Sequence, residues 1–286
     1  MQAKLENLPP ILSNKNFGAP SVFTADSLLR EARRQKSLPD ASVPQICVLD
    51  PDGDIVRRLR SEGRAVKDPA WACYHTELYR FASAEIECGI IGCAVGAAFA
   101  VLIAEQLMAS GCRMIISVTS AGQIVPVAQP PYFIMIERAL RDEGTSYHYV
   151  PPAQFAAADS ALVAMLDGVF DDFAVPVILG PTWTTDAPFR ETDDAIGCMR
   201  AQDLLAVEME AAALYAFAQA RKVPVLCFAH VTNQMGRIHG DFEKGEADGT
   251  TDALRVLDVV IQHTRTYWDG VSETGHNTGA RSKSPK

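Results

Sequence analysis

Residues 204–228 read LLAVEMEAAALYAFAQARKVPVLCF, and this stretch decides the fold. Leu204–Val207 is a short apolar run that leads into an Ala-rich helical stretch, and from Val223 a second apolar, β-rich run continues to Val231. Strand, helix and strand in close succession argue for an α/β fold with a largely buried sheet. Glu208 and Glu210 flank Met209 at the first junction. In extended chain, positions two apart face the same way, so both carboxylates can enter one cavity. Once a helix begins, such a pair diverges. Paired carboxylates at a strand end suit a vicinal diol, because ionised oxygens accept hydroxyl donors. The competing reading puts Glu210 in the first helical turn for its dipole and leaves Glu208 solvated. Spacing alone leaves both open.

The alternation extends outward in both directions. Arg113–Thr119 is a β run closing on the turn Ser120-Ala121-Gly122, Tyr132–Glu137 and Val175–Leu179 read as strands, and Ser160–Phe170 and Ala253–Thr266 read as helices. Upstream, Pro44–Leu49 is a strand ending in the polar turn DPDGD, followed by the helix IVRRLRSEG. Residues 78–93 read as strand and Gly96–Ser110 as a helix capped by Gly111. The uncharged run Cys88–Ala104 approaches the ~18 residues of a membrane span. Its Gly and Ala content and the flanking Glu87 and Glu105 favour a buried strand turning into a buried helix. Residues 1–43 read as an arm broken by Pro9, Pro10 and Pro20 with one helix over Ala25–Leu38. Residues 44–271 form a single domain, and the polar segment 272–286 reads as a disordered tail.

Composition narrows the function classes. With 48% apolar and 21% charged residues in 286, the chain is neither a disordered polyelectrolyte nor collagen-like. Lys and Arg total 26 against 35 Asp and Glu, a net charge of −9, without the basic footprint of a nucleic-acid binder. Seven scattered cysteines without a C-x-x-C pair suit a reduced cytoplasm better than a disulfide framework or a zinc site. The N-terminus has no apolar core of signal-peptide type. The expectation is a soluble cytoplasmic protein with no metal, nucleic-acid or membrane partner.

Val207–Ala213, V-E-M-E-A-A-A, resembles the hallmark of the nucleoside phosphorylase family, which includes uridine phosphorylase, hexameric purine nucleoside phosphorylase and methylthioadenosine nucleosidase. Gly92–Ile124 resembles the family's strand, Gly-turn and helix followed by a strand ending in a T-A-G-like turn, here Thr119-Ser120-Ala121-Gly122. Glu143–Tyr149 resembles a uridine-phosphorylase-type segment of D-G-A-S form, and the likeness spans about residues 44–266. It implies a three-layer α/β/α fold with a central mixed, partly barrel-like sheet. It also implies an enzyme that cleaves the N-glycosidic bond of a purine or pyrimidine nucleoside, without a cofactor and with inorganic phosphate as co-substrate. Dimers, trimers or hexamers are implied as well.

The resemblance carries roles onto this chain. Glu210 and Met209 would hold the ribose, with Glu208 close by and Cys93, Gly96, Thr119 and Ser120 also on the substrate. Asn233 falls where the family has an Asp that assists purine protonation. An amide bonds hydrogen but delivers no proton as an acid, which favours a 6-oxopurine or pyrimidine-like base. His230, in the same apolar run, reads as a core histidine rather than a catalytic one. Phe189 would stack on the base and Arg190 would contact a base oxygen.

The nucleophile side departs from the family pattern. Where the family has a G-D-P-x-R-V type loop, this chain has Pro51-Asp52-Gly53-Asp54-Ile55-Val56. The other two phosphate arginines fall at Ser117 and, across a subunit interface, near Thr76. Two or three guanidinium contacts ordinarily hold such a dianion, at roughly 1.5–3 kcal/mol per charged hydrogen bond. Asp52, Gly53, Thr76 and Ser117 would therefore line either a rebuilt phosphate pocket, aided by Arg57, Arg58 or Arg80, or a water site. The alternatives are phosphorolysis, hydrolysis and nucleoside binding without turnover.

Overall fold

The computed structural model describes residues 8–235 and 239–274, with side chains to 265 in the last helix. The strands are β1 (Ile46–Asp50), β2 (Ala65–Lys67), β3 (Tyr79–Ser83), β4 (Ile86–Gly92), β5 (Met114–Gln123), β6 (Tyr132–Asp142), β7 (Phe155–Ala157), β8 (Val177–Thr185), β9 (Ala206–Glu208) and β10 (Val225–Asn233). The helices are α1 (Ala25–Lys36), α2 (Asp54–Ser61), α3 (Ala97–Ala109), α4 (Ser160–Ala164), α5 (Asp193–Arg200), α6 (Ala211–Arg221) and α7 (Thr250–Thr274).

All these strands join one mixed sheet in the order β10-β6-β8-β9-β5-β1-β4-β3-β2, with β7 on β6. Strand β10 also pairs with β5, so the first five strands close on themselves into a barrel and the rest continue as an open wing. Near-continuous apolar runs make this possible: every residue of β1 is buried, and all of β10 except Asn233. Such strands need cover on both faces. Helices α3 and α6 cover one face, packing Ala97, Ile103, Ala211 and Phe217 against Leu49, Ile115 and Cys227. Helices α2 and α7 cover the other, with Ile55, Leu59 and Val260 against Val48, Ile116 and Phe228. The result is the mixed α/β/α architecture with a partly barrel-like sheet.

Strands β1, β4, β5 and β10 run parallel, β1 pairing with β4 and β5, and β5 with β10. Their carboxyl ends therefore share one edge, where open α/β sheets form ligand crevices. Several local readings change. The stretch Thr119–Gly122 is not a turn but the end of β5, because it finds ladder partners in Ala229–Asn233 of β10. Residues 78–93 are a hairpin whose turn, Ala84-Glu85, has positive φ at both positions. The expected helix 160–170 ends at Ala164, and α7 runs from Thr250 rather than Ala253. Cys88–Ala104 divides into strand β4 and helix α3, and among the described residues no helix is long and apolar enough to cross a membrane.

In the arm, α1 buries Leu29 and Ala32 against Ala72. Of the expected tail, 272–274 belong to α7, whereas 275–286 lie outside the described residues, as do 1–7 of the arm.

Candidate functional site

Glu208 and Glu210 do not share a role. Glu208 ends β9 and is 2% exposed. Its Oε2 accepts the backbone N–H of Glu210 (2.8 Å) and Ala211 (2.7 Å), and its Oε1 accepts the hydroxyls of Thr184 and Thr182. Thr184 Oγ1 in turn accepts the N–H of Ala212 at 3.0 Å. These are the orphan amides of the α6 N-terminus, so Glu208 and Thr184 together cap that helix. Burial raises the Glu208 pKa.

Glu210, at the N-cap of α6, points the other way and is 1% exposed. Its Oε1 accepts Gly96 N–H at 2.6 Å and its Oε2 accepts the Thr119 hydroxyl at 2.9 Å. The carboxyl is thus tied to the start of α3 and the end of β5. Burial, reinforced by the Glu208 carboxylate, pushes its pKa up to about 8. Met209, between the two, is half-buried.

The loop after β1 carries three aspartates with three different partners. Asp50 accepts Gly53 N–H (3.1 Å) and Val56 N–H (2.9 Å) at the start of α2, and burial, with Asp52 and Asp54 adding repulsion, pushes its pKa up to about 7. Asp52 takes both donors of Ser120, the N–H at 2.9 Å and the hydroxyl at 3.0 Å. Asp54 is partly buried, yet its bonds to Lys244 (2.5 Å) and Arg57 outweigh that burial and lower its pKa. Gly53 is required between them: its φ is +76°, and a Cβ there would meet Cys93 Sγ at 2.6 Å.

Asp52, Gly53, Cys93, Gly96, Thr119, Ser120 and Glu210 therefore come together at the crevice edge, with Glu208 behind Glu210. Asn233 ends β10 opposite Gly122. Its Oδ1 accepts Met235 N–H at 2.9 Å and its Nδ2 donates to Thr232 Oγ1 at 3.2 Å. Ser117 lies deeper in β5, buried between Leu49 and Cys227, and its hydroxyl has no partner among the described residues. Thr76 stands apart in the loop before β3, accepting the Trp71 indole N–H at 3.1 Å. Phe189 and Arg190 occupy an exposed 3-10 turn, with Phe189 99% exposed. Among the described residues no ring contact is made by Phe189.

Of the three arginines near the loop, only Arg57 approaches it. Arg58 bonds Glu62, Thr250 and Thr251, and Arg80 bonds Asp68, Glu87 and the Ser42 carbonyl. The cation that sequence reasoning missed is Lys244, 190 positions from Asp54, in a polar glycine-rich segment without regular structure. His230 is buried, its ring stacked on Phe133 with centroids 4.4 Å apart, and burial followed by the Lys244 charge lowers its pKa to about 4. Among the described residues no group of three His, Cys, Asp or Glu is placed to hold a metal ion.

Comparison with known proteins agrees with this fold. The chain covers 81% of its length against the crystal structure of uridine phosphorylase from Vibrio fischeri, at TM-score 0.64 and 20% identity over 94% of that chain. Against purine nucleoside phosphorylase from Toxoplasma gondii the TM-score is 0.66 at 14% identity, covering 80% of this chain and 94% of the other. For the 5'-methylthioadenosine/S-adenosyl homocysteine nucleosidase of Campylobacter jejuni the TM-score is 0.63 at 16% identity, covering 78% and 99%. A curated relative, guanosine phosphorylase of Halorubrum lacusprofundi, is 26% identical over 125 residues, which is 44% of this chain and about half (52%) of that protein. The sequence model of the phosphorylase superfamily matches residues 45–266, most of the chain and all of the crevice. This protein belongs to the phosphorylase superfamily, whose members include phosphorylases and nucleosidases.

Proposed function

We propose that the chain cleaves the N-glycosidic bond of a nucleoside and delivers the pentose to water. The bond breaks through an oxocarbenium-like sugar, and contacts to the sugar hydroxyls strengthen as charge develops. Glu210 serves that role: it is buried behind Gly96 and Thr119, and these partners, an N–H and a hydroxyl, are groups that substrate hydroxyls can replace or join. The bonding electrons leave with the base, which gains a proton. Asn233 supports the base by hydrogen bonding, which favours a 6-oxopurine or pyrimidine-like ring.

The observation that carries water over phosphate is Asp52 seated on both donors of Ser120. A carboxylate there occupies donors that an anion would use and offers a base to an attacking water. The two nearby cations, Arg57 and Lys244, are both tied to Asp54. With Asp52 counted beside Asp54, the two carboxylates balance the two cations and no surplus positive charge is left for a dianion. The competing reading is phosphorolysis, favoured by the guanosine phosphorylase relative, with phosphate drawing Arg57 and Lys244 from Asp54. Asp52→Asn tests the choice, since the amide oxygen still accepts from Ser120 but is no base. Pentose release falls by ~10²-fold or more on the hydrolytic reading. A variant with unchanged or phosphate-stimulated turnover contradicts it.

A homo-oligomer is part of the same proposal. Helix α3 begins at the crevice and leaves Ala98 and Leu102 exposed, next to Val95 in the turn before it, with Val95 50% and Leu102 41% exposed. A helix apolar on all sides is ordinarily covered. A second copy covering it also borders the site, and light scattering of Leu102→Glu, expected to be monomeric, checks this.

A further inference from the structure

Behind Asp52, on the α2 and α7 side of the sheet, lies a cavity of about 20 Å³ lined by Asp50, Asp52, Asp54, His230, Gly249 and Thr250, among others. A site able to hold one water needs ~10–15 Å³ and two to four polar partners. Most of the polar groups here are committed. Asp50 spends both oxygens on α2, Asp54 is taken by its two cations, and Thr250 donates to the Ala247 carbonyl at 2.6 Å and accepts from Arg58. Two groups are not. His230 is 8% exposed, and neither ring nitrogen takes part in a hydrogen bond among the described residues. Asp52 accepts once at each oxygen, leaving further lone pairs.

Gly249 packs directly against the imidazole and walls that side of the cavity. Gly249 has φ +75°, and a Cβ on it would lie 2.1 Å from His230 Cε1. The segment that includes it is pinned by Lys244 on Asp54 and by the Glu243 N–H on the Thr232 carbonyl at 2.7 Å. We propose that one fixed water fills this cavity and bridges the His230 imidazole to the Asp52 carboxylate, making His230 a positioning residue for Asp52. The water holds the carboxylate from behind while Ser120 holds it from the strand side. A neutral imidazole suits this, since one ring nitrogen accepts and the other donates. The catalytic meaning of the bridge rests on Asp52 acting as the base.

Two measurements test it. A crystal structure at high resolution is expected to show a water within hydrogen-bonding distance of both His230 and Asp52, and an empty or apolar-filled cavity overturns the proposal whatever the reaction proves to be. The second compares His230→Gln with His230→Phe on pentose release. With the water bridge, Gln retains kcat within ~3-fold, while Phe loses ~10-fold or more with KM little changed, because Asp52 loses its aim. If His230 only packs on Phe133, the order reverses: Phe keeps activity and Gln lowers the thermal midpoint. Should His230→Phe fail to fold, the retention or loss in His230→Gln and the crystallographic water decide. A wild type that forms only pentose 1-phosphate removes the base role of Asp52, while the water still confirms or overturns the bridge.

Discussion

The two sides of the crevice treat buried carboxylates in opposite ways. On the α3 and α6 side, Glu208 and Glu210 are almost fully buried with no cation among their bonded partners, only N–H and O–H groups. On the α2 side, Asp54 has two cations and a lowered pKa. The first arrangement keeps Glu210 largely uncharged until pH nears 8, so sugar hydroxyls that favour its ionised form must draw a proton from it, at a cost that falls as pH rises. The second, with Asp52 in the same loop, balances two carboxylates against two cations and leaves a neutral nucleophile favoured over a dianion. The difference teaches that sugar recognition and choice of nucleophile are set by separate electrostatic devices, one through desolvation and one through pairing.

The comparison breaks most easily at Glu210. Glu210→Ala is expected to lower kcat/KM by ~10²-fold or more, with a thermal midpoint unchanged or slightly raised, since a desolvated carboxyl is removed. A loss of activity that tracks a fall in the midpoint contradicts the sugar-binding role. A second test uses pH. Because the Glu210 pKa is raised to about 8, kcat/KM should climb as pH rises toward that value. In Glu208→Gln the neighbouring charge is gone, and the rise should move to lower pH. A limb that stays in place would separate the two glutamates.

The stability sign is opposite. The unfolded chain ionises Glu210 near 4.5 and the folded one near 8, so the folded state binds the extra proton in between and stability falls as pH rises across that window. Glu210→Gln should remove that slope in denaturant melts at several pH values. The smallest effect is expected at the base. Asn233→Asp should shift the ratio of adenosine to inosine turnover upward by a few-fold, because a carboxyl can pass a proton where an amide cannot. An unchanged ratio removes Asn233 from base selection.

The strands were legible wherever apolar β-rich runs stood out, as at 44–49 and 223–231, because burial on both faces leaves a continuous apolar signal. Thr119–Gly122 misled because its small polar residues look like a turn, whereas pairing with β10 holds them in the sheet. Within V-E-M-E, spacing left two readings open and the structure follows neither: Glu208 caps α6 instead of being solvated, and Glu210 faces away from it. Thr182 and Thr184 carry no local signal at all. They reach Glu208 only through the register of β8 with β9. Lys244 was hidden for the same reason, since no pattern within 241–250 announces a partner at residue 54.

Product identity from a nucleoside panel (inosine, guanosine, adenosine, uridine, thymidine and methylthioadenosine), with and without inorganic phosphate, tests the central claim most directly. Free pentose released at the same rate in both conditions is the predicted result. Pentose 1-phosphate formed only when phosphate is present would show that Arg57 and Lys244 leave Asp54 for the anion, and would contradict it.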